Sequence, residues 1–262
     1  METPSHKDRR ITRITGALRE TVTDPVAVET MFTLFVNQVE AATVLCSPSL
    51  VRELAVGFLL GEGILAERRD LLSVRHERGR GIVRVRVAAS VDLSPFSGAR
   101  KGTLTTGCAK GQTYAFVRDV AGMAPLPFGT VLPAAAIARA VKAFSHMSET
   151  YQSTGGVHSA MLWDGNGLQV FAEDLGRHNA VDKVFGQCFL KGIDPQGKVL
   201  LSSGRMSSEI VLKCARAGVP LIASRNAPTS FSVALADVLD MTLVGFVRGE
   251  RMNVYTHPRR VL

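Results

Sequence analysis

The feature that most limits what this chain can fold into is the alternation of short apolar runs and helix-period runs that fills its second half. Residues 157–163 and 168–173 read as strands joined by the turn Asp164–Gly167. A helical pattern follows over about 179–190, then a short strand at 198–202 and a helix over 207–217, opened by Ser207 and closed by Gly218. A strand at 220–224, a helix over 229–239 and a last strand at 242–247 complete the series. Strands separated by helices of this length predict a layered α/β domain with a largely parallel sheet. In such sheets ligands sit beyond the carboxyl ends of the strands, where loops lead into helices.

The first half reads differently. Val26–Val36 and Glu40–Cys46 are strand-like, with a turn at Asn37–Gln38. Ser47-Pro48-Ser49 places a capping hydroxyl before a helix over Leu50–Gly61. Strands are expected at Leu71–His76 and Ile82–Ala88, and a glycine-bearing stretch, Gly102–Gly111, holds Cys108. The shift to Gly, Pro and Ala at Met123–Pro133 marks a domain boundary, followed by a helix over Ala134–Phe144. The expected fold class is α/β (α+β overall). It comprises a loosely held polar, basic arm over 1–24, an N-terminal mixed α/β domain over 25–130 carrying the Cys108 loop, and a C-terminal domain over 131–262.

With 262 residues, 46% of them hydrophobic, the chain can bury a sizeable core. Its net charge of +8 favours anionic partners. The charge recurs in short groups at 7–13, 75–86, 191–198 and 248–260 rather than in one tail. No basic stripe with interleaved aromatics appears, so no nucleic-acid partner is expected. The four cysteines, Cys46, Cys108, Cys188 and Cys214, have neither metal-ligand spacing nor a disulfide framework, which fits a reducing compartment. The first residues lack the apolar run of a signal peptide, and no stretch approaches the roughly 18 apolar residues of a membrane span. The expectation is a cytoplasmic protein with no membrane partner.

Cys108 is the first candidate for chemistry. It lies in Thr105-Thr-Gly-Cys-Ala-Lys-Gly111, between glycines and two residues from a lysine. Glycines expose a side chain, and the nearby Arg100, Lys101 and Lys110 favour the nucleophilic thiolate, which can hold a persulfide. The bland alternative, a small buried cysteine, suits Cys46, Cys188 and Cys214, which sit in apolar patterns.

The strand-end loops are the second group. In Glu173-Asp-Leu-Gly-Arg-His-Asn179 a helix N-terminus would suit a phosphate, with Arg177 and His178 as added donors and Lys183 within two turns. The alternative is a helix start capped by Asp174 or Asn179. Ser203, Gly204 and Arg205 could hold an anion, or Ser207 could simply cap the next helix. Ala227–Ser230 is another hydroxyl-capped turn. In Gly245–Arg251, Phe246 could stack on a purine or pterin ring with Arg248 or Arg251 reaching a phosphate; otherwise the segment is a solvated hairpin. His158, after Gly155-Gly156, reads on its own as hydrogen-bonded structure. Taken together, these glycine-, cation- and hydroxyl-bearing loops predict a pocket for a large polyanion.

Several of these segments carry a resemblance. Thr154-Gly-Gly-Val-His158, Glu173-Asp-Leu-Gly-Arg-His-Asn-Ala-Val-Asp-Lys183, Ser203-Gly-Arg205, Ala227-Pro-Thr229 and Gly245-Phe-Val-Arg-Gly249 resemble, in order, signature segments of the FdhD family. Val56-Gly-Phe-Leu-Leu-Gly-Glu-Gly-Ile64 is similar to its first-domain segment, and the likeness runs from about residue 24 to 260. The resemblance implies a sulfurtransferase that takes persulfide sulfur from a cysteine desulfurase. The sulfur goes to Mo-bis(molybdopterin guanine dinucleotide), a bound substrate, for the catalytic subunit of formate dehydrogenase. It also implies a homodimer and a three-layer, cytidine-deaminase-like C-terminal domain. Carried over, Cys108 would hold the persulfide, and Phe246, Val247, Arg248, Gly249, Glu250 and Arg251 would bind the guanine dinucleotide. Arg177, His178 and Arg205 would line the same pocket, and no protein-ligated metal is expected.

One departure stands out. Many members carry a C-x-x-C pair in this loop, whereas Thr105 and Gly111 occupy the positions three before and three after Cys108. That keeps open a non-catalytic chaperone that binds and delivers the cofactor. Deamination is not expected, since it needs a His or Cys ligand beside a catalytic Glu and a C-x-x-C pair, while Ser159 and Ala160 follow His158.

Overall fold

The computed structural model describes residues 4–96, 103–104 and 122–262. The fold is mixed α/β. Two sheets of five and six strands face each other across a layer of helices, and a two-stranded ribbon extends from them.

The five-stranded sheet has the order β5-β6-β3-β4-β7. Its strands are β3 (Thr30–Val36), β4 (Val39–Cys46), β5 (Leu71–Glu77), β6 (Ile82–Val87) and β7 (Thr103–Leu104). Alternation puts Phe32, Leu34, Val36, Ala42, Val44, Cys46, Val83, Val85 and Val87 on one buried face. Helix α1 (Val51–Gly61) covers that face with Val51, Leu54, Ala55, Phe58 and Leu59. No side chain caps α1. Its N-cap is Leu50 at φ 53; the capping hydroxyl expected from Ser47-Pro48-Ser49 does not serve, and Ser47 is instead drawn into the buried polar cluster described below.

The six-stranded sheet has the order β13-β12-β11-β10-β8-β9. Its strands are β8 (His158–Trp163), β9 (Leu168–Asp174), β10 (Val199–Ser202), β11 (Leu221–Ser224), β12 (Thr242–Arg248) and β13 (Arg251–Val254). The expected largely parallel sheet is in fact mixed. β10–β11 and β11–β12 are parallel, while β8–β9, β8–β10 and β12–β13 are antiparallel. The short turns joining β8 to β9 and β12 to β13 allow only antiparallel neighbours. Helix α2 (Ala134–Phe144) packs Ile137, Val141 and Phe144 on one face. The helices α4 (Arg177–Lys191), α5 (Ser208–Arg216) and α6 (Ser230–Val238) cover the other. The short α3 (Glu149–Thr154) and strand β13 have no counterpart in the sequence reading.

The arm expected over 1–24 is an ordered ribbon, β1 (His6–Thr15) and β2 (Leu18–Ala27), paired in antiparallel register from His6↔Ala27 to Thr15↔Leu18. Its alternating Thr, Ile and Val suit strands despite the charge, and Gly16 at φ 61 closes the turn. The single strand expected over Val26–Val36 is therefore two, belonging to different sheets.

Helices α1 and α4 join the halves at very short range. A Cβ added to Gly57 would lie 1.8 Å from the backbone oxygen of Asp182, and one on Gly186 1.8 Å from that of Glu53. Only glycine fits at either position.

Candidate functional site

β9 to β12 all end on one edge of the six-stranded sheet, where β8 begins and where α4, α5 and α6 start. On that edge His158 pairs with Asp174. The loops 203–207 and 225–229 lie beside them.

The imidazole of His158 sits at the centre. Ser203 Oγ accepts from the backbone N–H of Ser159 at 2.9 Å and lies 3.2 Å from His158 Nδ1. Burial holds the His158 pKa below the usual histidine value, and the charges of Arg177, His178 and Arg205 push it the same way. A neutral imidazole whose Nδ1 takes the Ser203 proton presents Nε2–H as a donor. The sequence reading took His158 as hydrogen-bonded structure, and its contact with Ser203 fits that; Arg177, His178 and Arg205 stand around it.

The other histidine is held differently. His178 Nε2 lies 3.0 Å from Ser207 Oγ and 2.9 Å from Glu209 Oε2. That hydrogen bond to His178 is the main reason the Glu209 carboxyl stays below the ordinary range. Ser207 occupies the N-cap position of α5 but makes no cap bond, because its hydroxyl is turned to His178. Gly176 at the start of α4 makes none either, and neither Asp174 nor Asn179 serves as the cap. Two of the three helix N-termini on this edge thus keep backbone N–H groups without a side-chain cap, the arrangement that binds anions. The third, α6, is closed by the capping box of Thr229 and Ser232.

Gly204 lets the second loop lie directly on the first. A Cβ there would come 2.7 Å from Arg177 Cβ, so Arg177 and Arg205 converge only because residue 204 is glycine. Ser224 Oγ donates to Gly204 O at 2.8 Å, and Asn226 Nδ2 donates to Ser203 O at 2.6 Å. Asn226 O in turn accepts from Phe246 N at 3.3 Å. Phe246 is exposed and adopts φ 52 at an irregularity in the β12–β13 pairing, in the left-handed region that favours glycine and is costly for an aromatic residue.

Beyond Phe246 the chain forms a tight hairpin with Arg248 paired to Arg251 across Gly249 and Glu250, all four exposed. Val247 belongs elsewhere. It is 2% exposed and packed in the core cluster that α2 covers, so its side chain does not line this edge. Alternation along β12 turns it to the opposite face from its neighbours.

The densest motif, 173–183, divides between two places. Arg177 and His178 face the cleft. Asp174 and Lys183 form a fully buried pair at 2.6 Å. Asp174 also accepts from Ser47 N, Gly176 N and Asn179 Nδ2, and Lys183 donates to Ser47 Oγ and Glu173 O. Asp182 pairs with Lys213 of α5 at 2.5 Å. Burial still raises its carboxyl above the usual range, as it does for the neighbouring Glu62.

Cys108 lies outside the described residues. The chain is last described before it at Leu104, which pairs with Val44 of β4. Two residues beyond Val44, Cys46 leads into Ser47, whose N–H donates to Asp174 beside the cleft. Cys46, Cys188 and Cys214 are core residues. Burial pushes the thiols of Cys46 and Cys188 up to about 12, and that of Cys214 upward as well, so none offers a thiolate near neutral pH.

Comparison with known proteins agrees with this architecture. The family model described as FdhD/NarQ family matches residues 27–262. The sulfur carrier protein FdhD of Staphylococcus aureus strain MRSA252 is 39% identical over 241 residues, 92% of this chain and 90% of the relative. That of strain JH9 is 38% identical over the same shares. The crystal structure of a formate dehydrogenase accessory protein from Desulfotalea psychrophila superposes with a TM-score of 0.79 at 30% identity, covering 99% of this chain and 100% of that one. The chain belongs to the FdhD/NarQ family.

Proposed function

We propose that this chain is a sulfur carrier serving formate dehydrogenase. Cys108 takes persulfide sulfur from a cysteine desulfurase and passes it to a Mo-bis(molybdopterin guanine dinucleotide) substrate held in the strand-end cleft. In the loading step the Cys108 thiolate attacks the outer sulfur of the donor persulfide. A new S–S bond forms at Cys108, the donor's S–S bond breaks, and the electron pair leaves on the donor thiolate, so the exchange involves no net oxidation.

The observation that carries the reading is the cleft itself. Arg177, His178 and Arg205 surround His158 beside two helix starts without side-chain caps. A nucleotide diphosphate meets there both fixed N–H donors and guanidinium forks. The exposed Phe246 offers a ring face for a base, and Arg248 and Arg251 stand on the same hairpin. The other three cysteines, Cys46, Cys188 and Cys214, are buried in the core and are unsuited to carry sulfur. The absence of a second cysteine at 105 or 111 favours a rival reading, a chaperone that binds and delivers the cofactor without carrying sulfur.

Intact-mass spectrometry after incubation with a cysteine desulfurase and cysteine separates the two. Addition of one sulfur atom to the wild type and none to Cys108→Ala supports the carrier. No addition, or an addition that survives the substitution, rejects Cys108 and leaves the chaperone.

A further inference from the structure

On the outer face of the five-stranded sheet, turned away from α1, Arg75 of β5 stands directly opposite Arg84 of β6, and Arg86 follows on the same face opposite Ser73. All three arginines are exposed. Like charges directly opposed across an antiparallel pair destabilise it, so the pair runs against the local rule for a sheet surface. Residues 75–86 hold five arginines and a single acidic residue, Glu77. Glu77 is already engaged by Arg84 at 3.1 Å and Arg80 at 3.7 Å. Among the described residues Arg75 and Arg86 have no carboxylate within ion-pair distance.

Two bland explanations fall short. A charge on β5 protects an open sheet edge from pairing, but Arg84 and Arg86 lie on β6, an interior strand. Simple solubility is met by mixed charges and does not call for opposed arginines. The patch has the composition of a protein interface instead. Arg84 lies over the Phe35 ring at 5.0 Å, and Met31 on the neighbouring strand is 60% exposed. Arginine, methionine and aromatic residues are enriched at such interfaces. Nucleic acid is a poorer match, because among the described residues the aromatic ring on this face, Phe35, is already covered by Arg84 and offers no stacking platform.

We propose that this face docks an acidic surface of the protein that donates the sulfur. The proposal rests on the sulfur-carrier reading above. It assigns the donor rather than the acceptor because β7 of the same sheet carries the chain to Leu104, four residues before Cys108, whereas the cleft lies on the other sheet. Five strands about 4.8 Å apart set the arginine edge roughly 20 Å from β7. A standard footprint of about 800 Å² per partner covers that span. Carboxylates of the partner would offset the Arg75–Arg84 repulsion and steer the encounter.

The test compares wild type with Arg75→Glu/Arg84→Glu/Arg86→Glu, with folding of the variant checked by circular dichroism and a thermal melt. Sulfur loading is followed by intact mass from two sources, a cysteine desulfurase with cysteine, and cysteine persulfide alone. The expected result is a loading rate from the protein donor lowered about tenfold or more, with a matching loss of its salt dependence, and unchanged loading from the small persulfide. Unchanged loading from the protein donor overturns the proposal. So does equal loss from both sources in a folded variant, which would place the defect at the cysteine. Loss of oligouridine binding in the variant with donor loading intact would reassign the face to nucleic acid. If the wild type loads from neither source, the sulfur-carrier reading itself fails, and that outcome is distinct from all the others.

Discussion

The buried cluster around Asp174 and Lys183 and the open cleft around His158 draw on the same eleven residues of sequence, yet use charge in opposite ways. In the cluster every charge is matched. Asp174 and Lys183 are both fully buried, 2.6 Å apart, and their remaining hydrogen-bonding capacity is met by Ser47, Gly176, Asn179 and Glu173 O. Ser47 follows β4 of the first sheet, while the others come from the end of β9 and the start of α4, so the cluster fixes the two halves in register. In the cleft, among the described residues, cationic side chains outnumber carboxylates. Arg177, His178 and Arg205 bear on one neutral histidine, with Glu209 as the near acid. A balanced cluster in a dry interior specifies structure; an excess of cations at a solvent-facing edge is suited to an anion that arrives from outside.

Lys183→Met breaks the comparison most severely. It leaves the Asp174 carboxylate buried without its cation, which costs about 3–5 kcal/mol. Chemical denaturation should show that loss. Isothermal titration with guanosine diphosphate, under conditions where the variant remains folded, should show little change. A large loss of nucleotide affinity in a folded variant would mean that the cluster belongs to the site.

Gly57→Ala should come next. The added methyl meets the Asp182 backbone at 1.8 Å, so α1 and α4 must move apart. Overpacking of this kind costs about 1–3 kcal/mol, read as a lower melting temperature. Retention of the wild-type melting temperature would show that the helices can separate freely, against the picture of a locked junction.

How much of this was legible in the sequence depends on the range of the interaction that decides each element. Helix α2 and strands β8 to β12 are set by local periodicity, and the sequence reading finds each of them. The ribbon was missed because six Lys, Arg and His side chains over 6–19 mask an underlying strand alternation. The α1–α4 junction was invisible for another reason: Gly57 and Gly186 are 129 positions apart and ordinary in their own windows. In the motif 173–183, the density of charge was read as a single site. Local sequence cannot say that Asp174 and Lys183 meet Ser47, more than 120 residues away, while Arg177 and His178 turn outward. Val247 fails in the same way, since it shares a motif with Phe246 but not a face. Ser207 was weighed as a cap for the next helix, and only the folded chain reveals that its hydroxyl, like the Glu209 carboxylate, meets His178.

A finer test lies within the cleft, at Glu209. We treat it as a positioning residue, one that sets the ring orientation of His178 through the 2.9 Å contact. Glu209→Ala should weaken guanosine diphosphate binding by roughly tenfold, the worth of one charge-assisted hydrogen bond, with little change in melting temperature. Glu209→Gln retains an acceptor oxygen at the same place and should recover most of the affinity. Equal loss in both variants would show that the carboxylate charge, not the orientation of the ring, is what counts.

The smallest expected effect concerns His158 and acid. Its folded pKa is lowered, first by burial and then by Arg177, His178 and Arg205, while the unfolded chain keeps an ordinary histidine value. As pH falls below that ordinary value the unfolded state takes up a proton that the folded state still refuses. The contribution of a neutral His158 is therefore fully present above the unfolded value and is lost as pH falls towards the folded one. The other ionisable groups around it follow a separate logic. Glu209 also titrates below its usual range, so its share is lost at more acid pH, through the carboxylate window. His158→Gln, which keeps hydrogen-bonding capacity and cannot titrate, should flatten the slope of stability against pH just below neutrality and leave the steeper acid limb in place. An unchanged slope in that window would mean that His158 is protonated as readily in the folded chain as in the unfolded one, and the cleft would then lack its neutral imidazole donor.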